Sequence, residues 1–89
     1  MIKLIFTPSF MREAKRLTKS DKDLGGEIAE KIELFRNRDN HTKLKVHKLH
    51  GPLVSFWSFS VNYKYRIIFE SLNKNEAILH DIGDHDVYK

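Results

Sequence analysis

Eighty-nine residues, no cysteine and a net charge of +4 describe a small basic protein. A chain of this length forms one modest core, so we expect a single domain over residues 1–89 with its site on the surface. The lack of cysteine excludes disulfides and zinc–thiolate sites. No apolar run approaches the ~20 residues of a membrane span, and the N-terminal MIKLIFT is too short for a signal peptide. We expect a cytoplasmic protein without a membrane partner, whose cations favour an anionic partner such as nucleic acid.

The N-terminal third predicts a strand followed by two helices. The apolar run Ile2–Phe6 is typical of a buried strand, and Thr7 with Pro8 predicts an N-cap and a first helical residue. A second helix is expected to open at Ser20, with Asp23 three residues on. The apolar residues recur at helical spacing and predict the buried stripes Phe10, Ala14 and Leu17, and then Leu24, Ile28, Ile32 and Phe35.

The middle of the chain is basic and weakly patterned. From Arg36 to His50 there are five Lys or Arg, one Asp and three His. A weak alternation over Lys43–Leu49 indicates a strand, and Gly51–Pro52 indicates a turn.

A hairpin is the clearest element of the sequence. Ser55–Val61 and Tyr63–Glu70 each alternate with period two, and Asn62 stands where the chain must reverse. The apolar and aromatic side of the second arm is expected to carry Tyr63, Tyr65, Ile67 and Phe69, while the other side carries Lys64 and Arg66. A last strand is expected over Ala77–Ile82. The order predicts an α+β domain in which two N-terminal helices pack on one face of a small, mostly antiparallel sheet, with the order β-α-α-β-β-β.

No glycine loop for phosphates, nucleophile elbow or cysteine nucleophile is present. Four groups remain as candidates for chemistry: Arg66 with Lys64, the turn His47–Gly51, His80 on the last strand, and the tail Gly83–Lys89. Histidine suits general acid or base catalysis because its ordinary pKa lies close to neutral pH. Arg66 is either a solvated strand cation or part of a cationic pocket, and Tyr88 is either a core-capping aromatic or a platform for stacking on a base.

A metal site is the less favoured interpretation of the histidines. His47 and His50, helped by His80 and Asp84 or Asp86, supply ligand types. Their imidazoles stand among lysines and would have to bind a cation in a positive field. We therefore expect no metal and no small-molecule cofactor.

Four motifs in this order resemble the RelE/ParE superfamily of bacterial toxins. They are H-x-L-x-G at His47–Gly51, the tryptophan strand that follows, Y-R-I-I-F at Tyr65–Phe69, and G-x-H-x-x-Y at Gly83–Tyr88. The resemblance covers essentially the whole chain and is strongest to the RelE, YoeB and YafQ branch, which cleaves mRNA on the ribosome. It implies a small sheet backed by two helices, with RNA on the polar face, and a cognate antitoxin that holds the toxin inactive.

The resemblance also implies roles for individual residues. Arg66 would neutralise the scissile phosphate, His85 would act as the general acid, and His47 would be a second acid or base. Tyr88 would stack on a base. Lys43 or Lys45 stands where YoeB-like members place a glutamate base, and Lys64 where YafQ-like members place an aspartate, so the general base stays open between His47 and a lysine-perturbed neighbour. The residues expected to bind RNA are Lys43, Lys45, Lys48, Lys64, His50 and Tyr88.

The implied activity is ribosome-dependent, metal-independent endoribonuclease activity on mRNA in the A site. Two other functions stay open. A ParE-like member would bind DNA gyrase and cleave nothing, and a basic RNA-binding or partner-binding module would have no activity. The joint presence of Arg66 and His85 favours the ribonuclease.

Overall fold

The computed structural model describes residues 1–51 and 55–84. Within these ranges one strand is followed by two helices and four further strands. Their bounds are β1 Lys3–Phe6, α1 Pro8–Ser20, α2 Lys22–Phe35, β2 His47–Lys48, β3 Trp57–Ser60, β4 Tyr65–Asn73 and β5 Glu76–Asp84, with a turn of 3-10 helix at Arg38–Asn40. The predicted α+β class with two N-terminal helices is confirmed, and β2 lies within the strand predicted over Lys43–Leu49.

The two helices begin at side-chain caps. Thr7 accepts a hydrogen bond from the backbone N–H of Phe10, and Pro8 is the first helical residue, as predicted. The predicted start of α2 at Ser20 is wrong, because Ser20 ends α1 and Asp21 caps α2 by accepting from the N–H of Leu24. Asp21 is the better cap here because its carboxylate also suits the positive end of the helix dipole.

The described strands form a single sheet in the order β1-β5-β4-β3-β2. The pairings β5-β4, β4-β3 and β3-β2 are antiparallel, and β1 runs parallel to β5. The long connection through both helices returns the chain so that the first and last strands become neighbours. This pairing leaves β2, with its histidine, at the opposite edge of the sheet.

Aromatic rings dominate the core between the helices and the sheet. Phe35 of α2 is 1% exposed and stacks on Phe59 at a centroid distance of 4.4 Å. It meets Phe69 edge-on at 4.7 Å and stacks on His41 at 4.7 Å. Both predicted helical stripes point into this core, with Ala14 and Ile32 at its partly buried margin. Such close packing fixes the helices against one face of the sheet.

The predicted strand Lys43–Leu49 is wrong over most of its length. Turn hydrogen bonds occupy the backbone before His47, from the N–H of Leu44 to the carbonyl of Asn40 and from the N–H of Lys45 to that of Thr42. Leu44 and Leu49 are buried all the same. The apolar pattern therefore predicted correctly that Leu44 and Leu49 are buried, but it did not predict the turns of the backbone before His47.

The hairpin reverses later than the sequence pattern indicated. The side-chain oxygen of Asn62 accepts from the N–H groups of Lys64 and Tyr65, at 2.8 and 2.9 Å, and this closes the turn. Tyr63 is 91% exposed in the turn and does not join the apolar face, contrary to expectation. Lys64 likewise lies in the turn and not on the strand with Arg66.

Side-chain alternation along β4 gives the sheet two different faces. Ile67 and Phe69 lie in the core beneath the helices. The residues between and beside them point to the opposite side, which we call the polar face. On β3 and β4 it carries Ser58, Arg66, Ile68 and Glu70.

Candidate functional site

Arg66 projects from the centre of the sheet. Its strand, β4, lies between β3 and β5, and Arg66 pairs with Ser60 on one side and Gly83 on the other. Its neighbour Ile67 is fully buried in the core. The core therefore fixes the backbone from which this guanidinium reaches out over the polar face.

His47 meets Arg66 on that face. Strand β2 pairs His47 with Ser58 of β3, which turns the imidazole to the same side as Arg66. His47 Nε2 lies 3.3 Å from Arg66 Nη1 and 3.3 Å from Ser58 Oγ, and His47 Nδ1 lies 2.8 Å from the carbonyl oxygen of Lys45. Three strands thus bring together residues that are 19 positions apart in the chain.

These contacts assign the proton on the imidazole. A carbonyl oxygen only accepts, so His47 Nδ1 donates to Lys45. A guanidinium only donates, so Arg66 Nη1 donates to Nε2, which must carry a lone pair. Ser58, fully buried, supplies a hydroxyl beside the same nitrogen. The imidazole is therefore held with its basic nitrogen over the polar face.

The pair has the chemical properties of a phosphate-directed base. The guanidinium has further N–H donors that match the oxygens of a phosphate group. The lone pair of Nε2 can take a proton from a hydroxyl group of the same ligand. A ligand that combines an anionic phosphate with an adjacent hydroxyl fits both groups together.

Lys45 holds the histidine through an uncommon backbone conformation. Its φ of 57° lies in the left-handed region, which a residue with a side chain adopts at a cost of about 1–2 kcal/mol. This conformation accompanies the turn that presents the Lys45 carbonyl to His47 Nδ1. Lys43 and Lys45 are both exposed in the loop that leads to His47.

The other predicted RNA-binding residues are dispersed. Lys48 pairs with Trp57 and therefore shares the face of Trp57, opposite to His47. Lys64 has its ammonium 5.2 Å above the ring of Tyr65 and lines a depression with the acidic residues Asp21, Asp23 and Glu27. His50 is exposed just after β2.

His85 and Tyr88 lie outside the described residues. The last described strand ends at Asp84, and its Gly83 lies opposite Arg66 in the register. The roles predicted for these two residues therefore stay predictions.

A second polar pair lies on this face, of which the sequence analysis named His80 as a candidate but not its partner Glu70. Glu70, on β4 with Arg66, accepts a hydrogen bond from His80 at 3.0 Å between Oε1 and Nε2. The ring of Phe56 meets that of His80 edge-on at 5.0 Å. The alternation placed Glu70 and Phe56 on the polar side of their strands, but only the pairing of β4 with β5 reveals that His80 joins them.

Residues 1–51 and 55–84 contain no group of three or more His, Asp or Glu side chains placed to hold a metal ion. In the same ranges, neither helix is long and apolar enough to cross a membrane.

Comparison with known proteins yields matches among solved structures. No family model and no curated protein matches the chain. A conserved hypothetical protein from Helicobacter pylori is 21% identical, with 97% of each chain covered and a TM-score of 0.71. A chain of the DinJ–YafQ complex from Escherichia coli is 17% identical over 98% of this chain and 97% of that chain, with a TM-score of 0.72. A chain of the heterotetrameric YoeB–YefM toxin–antitoxin complex from Staphylococcus aureus is 19% identical over 96% and 98%, with a TM-score of 0.71.

These similarities extend over nearly the whole of each chain, at low sequence identity. The protein therefore has the α+β fold of the YafQ and YoeB toxin structures. This confirms the fold that the resemblance of the four motifs implied.

Proposed function

We propose that this protein is the toxin of a type II toxin–antitoxin system and that it cleaves mRNA in the ribosomal A site by metal-independent acid–base catalysis. The observation that carries the proposal is the contact of His47 Nε2 with Arg66 Nη1 at 3.3 Å, together with the 2.8 Å hydrogen bond that fixes the proton on His47 Nδ1. The similarity in fold to the YoeB–YefM toxin–antitoxin structure supports it.

The proposed reaction starts at a ribose 2′-hydroxyl. His47 Nε2 takes the 2′ proton while the 2′-oxygen attacks the adjacent phosphorus. Arg66 moves from Nε2 to the non-bridging oxygens, where negative charge builds. The bond to the 5′-oxygen breaks, and the products are a 2′,3′-cyclic phosphate and a 5′-hydroxyl.

The leaving 5′-oxygen needs a proton, and His85 is proposed as its donor. His85 follows β5 directly, and this strand lies beside Arg66. Tyr88 is proposed to stack on a base next to the scissile phosphate.

Lysines supply attraction to the RNA backbone in this scheme. Lys43 and Lys45 stand in the loop that carries His47, and their charges act on phosphates that flank the cleaved one. Lys48 and Lys64 add positive charge at greater distance, and His50 offers an imidazole that can hydrogen-bond to the RNA. The sheet face is a surface and not a deep cavity, so the ribosome is proposed to hold the mRNA in place.

A cognate antitoxin is proposed as the protein partner. An apolar groove runs between α1 and α2, lined by Met11, Ile28 and Ile32 and flanked by Arg12 and Lys15. Met11 is 56% exposed there. A partly disordered acidic segment that folds on binding fits such a surface.

Expression in growing cells followed by mapping of mRNA 5′ ends tests the proposal. Wild type is expected to stop translation and to leave new 5′-hydroxyl ends within codons. Arg66→Ala and His85→Ala are expected to abolish both effects at equal protein levels. Arg12→Ala, which removes the same charge from α1, is the matched control and should remain toxic.

The other outcomes separate the alternatives. DNA damage without new mRNA ends would indicate a gyrase inhibitor, and no toxicity would indicate a binding module. Cleavage that a transition-metal chelator stops, and that zinc or manganese restores, would overturn the metal-independent mechanism.

A further inference from the structure

The Glu70–His80 pair is not explained by stability. Its side chains are 39% and 31% exposed, and ion pairs with this exposure contribute at most about 1 kcal/mol. The Glu70 carboxylate has no other hydrogen-bond partner among residues 1–51 and 55–84. Moreover, it places a carboxylate on the same strand face as Arg66, where a polyanion would be repelled.

A β-bulge in β5 brings His80 next to Glu70. The register of β4 with β5 shifts between Ile68, which pairs with Asp81, and Phe69, which pairs with Leu79, so His80 is an extra residue on β5. The hydroxyl of Thr7 donates to the His80 carbonyl at 2.8 Å and anchors the bulge. Bulges redirect side chains and are frequent beside functional sites. Here the bulge brings the imidazole to the carboxylate of Glu70.

Aromatic surface lies beside this carboxylate. The half-buried ring of Phe56 stands at 89° to the His80 ring, with 5.0 Å between their centroids. Glu70 lies four residues from Arg66 on β4, or about 13 Å along the strand at ~3.3 Å per residue. If Arg66 holds the phosphate of a nucleotide, the base of that nucleotide or of its neighbour can reach the carboxylate of Glu70.

We infer that Phe56, Glu70 and His80 form a nucleobase-binding site that prefers guanine. In single-stranded RNA the Watson–Crick edges of the bases are accessible. A carboxylate only accepts hydrogen bonds, and guanine alone presents two adjacent donors on that edge, N1–H and the 2-amino group. Glu70 accepts both, His80 orients the carboxylate, and the aromatic rings supply a stacking surface. This rests on the proposed function in that the ligand is RNA.

Binding of short RNAs tests the inference without requiring cleavage. The probes are fluorescein-labelled oligouridines with one central G, A, C or U, and a 2′-O-methyl group on each ribose removes the attacking hydroxyl and prevents cleavage. In fluorescence anisotropy at low salt, wild type is expected to bind the G probe about 5- to 100-fold more tightly than the others, as for a bidentate base contact.

Glu70→Gln is the diagnostic variant. A carboxamide offers one acceptor and one donor, so it cannot accept hydrogen bonds from both the N1–H and the 2-amino group of guanine, and the G preference should disappear. Glu13→Gln is the matched control on α1, because the hydrogen bond from Arg16 lowers the pKa of Glu13 and keeps this carboxylate ionised. It should bind all four probes as wild type does.

Phe56→Leu should weaken binding of all four probes by a similar factor while the G preference remains.

Equal binding of the four probes by wild type, a G preference that survives in Glu70→Gln, or no RNA binding at all would overturn the inference. Failure of the proposed function has a different signature: a G preference that depends on Glu70 in a protein that cleaves no mRNA.

Discussion

The two faces of the sheet use the same strands for different purposes. On the helix side, Phe35, Phe59 and Phe69 make a close aromatic cluster at centroid distances of 4.4 to 5.8 Å. On the polar face, His47 and Arg66 meet at 3.3 Å and stay accessible to solvent. Alternation along β4 joins the two, since burial of Ile67 fixes the direction of Arg66. One face therefore supplies rigidity, and the other supplies groups that a ligand can reach.

Truncation of the aromatic cluster should have the largest effect on folding. Phe35→Ala removes a ring that is 1% exposed and is expected to lower the free energy of unfolding by about 3–5 kcal/mol, because a cavity remains. Chemical denaturation measures it. Phe6→Ala is the matched control, since Phe6 is 39% exposed. An equal loss for both would contradict the claim that the buried aromatic cluster, and not any large apolar side chain, stabilises the fold.

Arg66→Ala should have the opposite profile. Loss of charge stabilisation on the phosphate is expected to slow single-turnover cleavage of ribosome-bound mRNA by about 10²–10³. The free energy of unfolding should change by no more than about 1 kcal/mol, because the hydrogen bond to His47 lies near the surface. A slow variant that is also unfolded would not support a chemical role.

Thr7 contacts both the start of α1 and the bulge at His80, so its truncation should have an intermediate effect on stability. Its hydroxyl accepts from the N–H of Phe10 at 3.0 Å and donates to the His80 carbonyl at 2.8 Å. Thr7→Ala is expected to cost about 0.5–2 kcal/mol of stability in thermal or chemical unfolding. Thr7→Ser keeps the hydroxyl and should cost much less. A similar loss in both variants would mean that the methyl group matters and not the hydrogen bonds.

Lysine substitutions should have the smallest effects and should differ between the faces. Lys45→Ala, next to the loop carbonyl that holds His47, is expected to reduce the salt slope of RNA binding by about one. Lys48→Ala is its matched control, because Lys48 shares the face of Trp57. Anisotropy titrations at several salt concentrations compare them. A larger change of the salt slope for Lys48→Ala would indicate that the RNA binds on the face of Trp57 and not on the polar face.

Local patterns predicted much of this architecture. The Thr7–Pro8 cap, the two apolar stripes and the alternation around Arg66 depend on short stretches of sequence, and the structure confirms them. The start of α2 was missed because Ser20 and Asp21 are both good caps, and the local pattern does not reveal that α1 continues through Ser20. Tyr63 was misassigned because alternation does not reveal where a turn ends.

The site depends on pairing between distant segments, which local patterns do not specify. The pairing of β2 with β3 decides that His47, and not Lys48, faces Arg66. The left-handed Lys45 decides which imidazole nitrogen carries the proton. The extra residue in β5 decides that His80 reaches Glu70. None of these three features leaves a signal in the composition or the periodicity of the sequence.

The central claim is that His47 and Arg66 act as one unit on the polar face. A double-mutant cycle in single-turnover cleavage of ribosome-bound mRNA tests it most directly, with wild type, His47→Ala, Arg66→Ala and the double variant. Residues that act together have coupled losses, so the double variant should be only slightly slower than the slower single variant. Losses that multiply in full, or single variants that cleave at the wild-type rate, would contradict the claim.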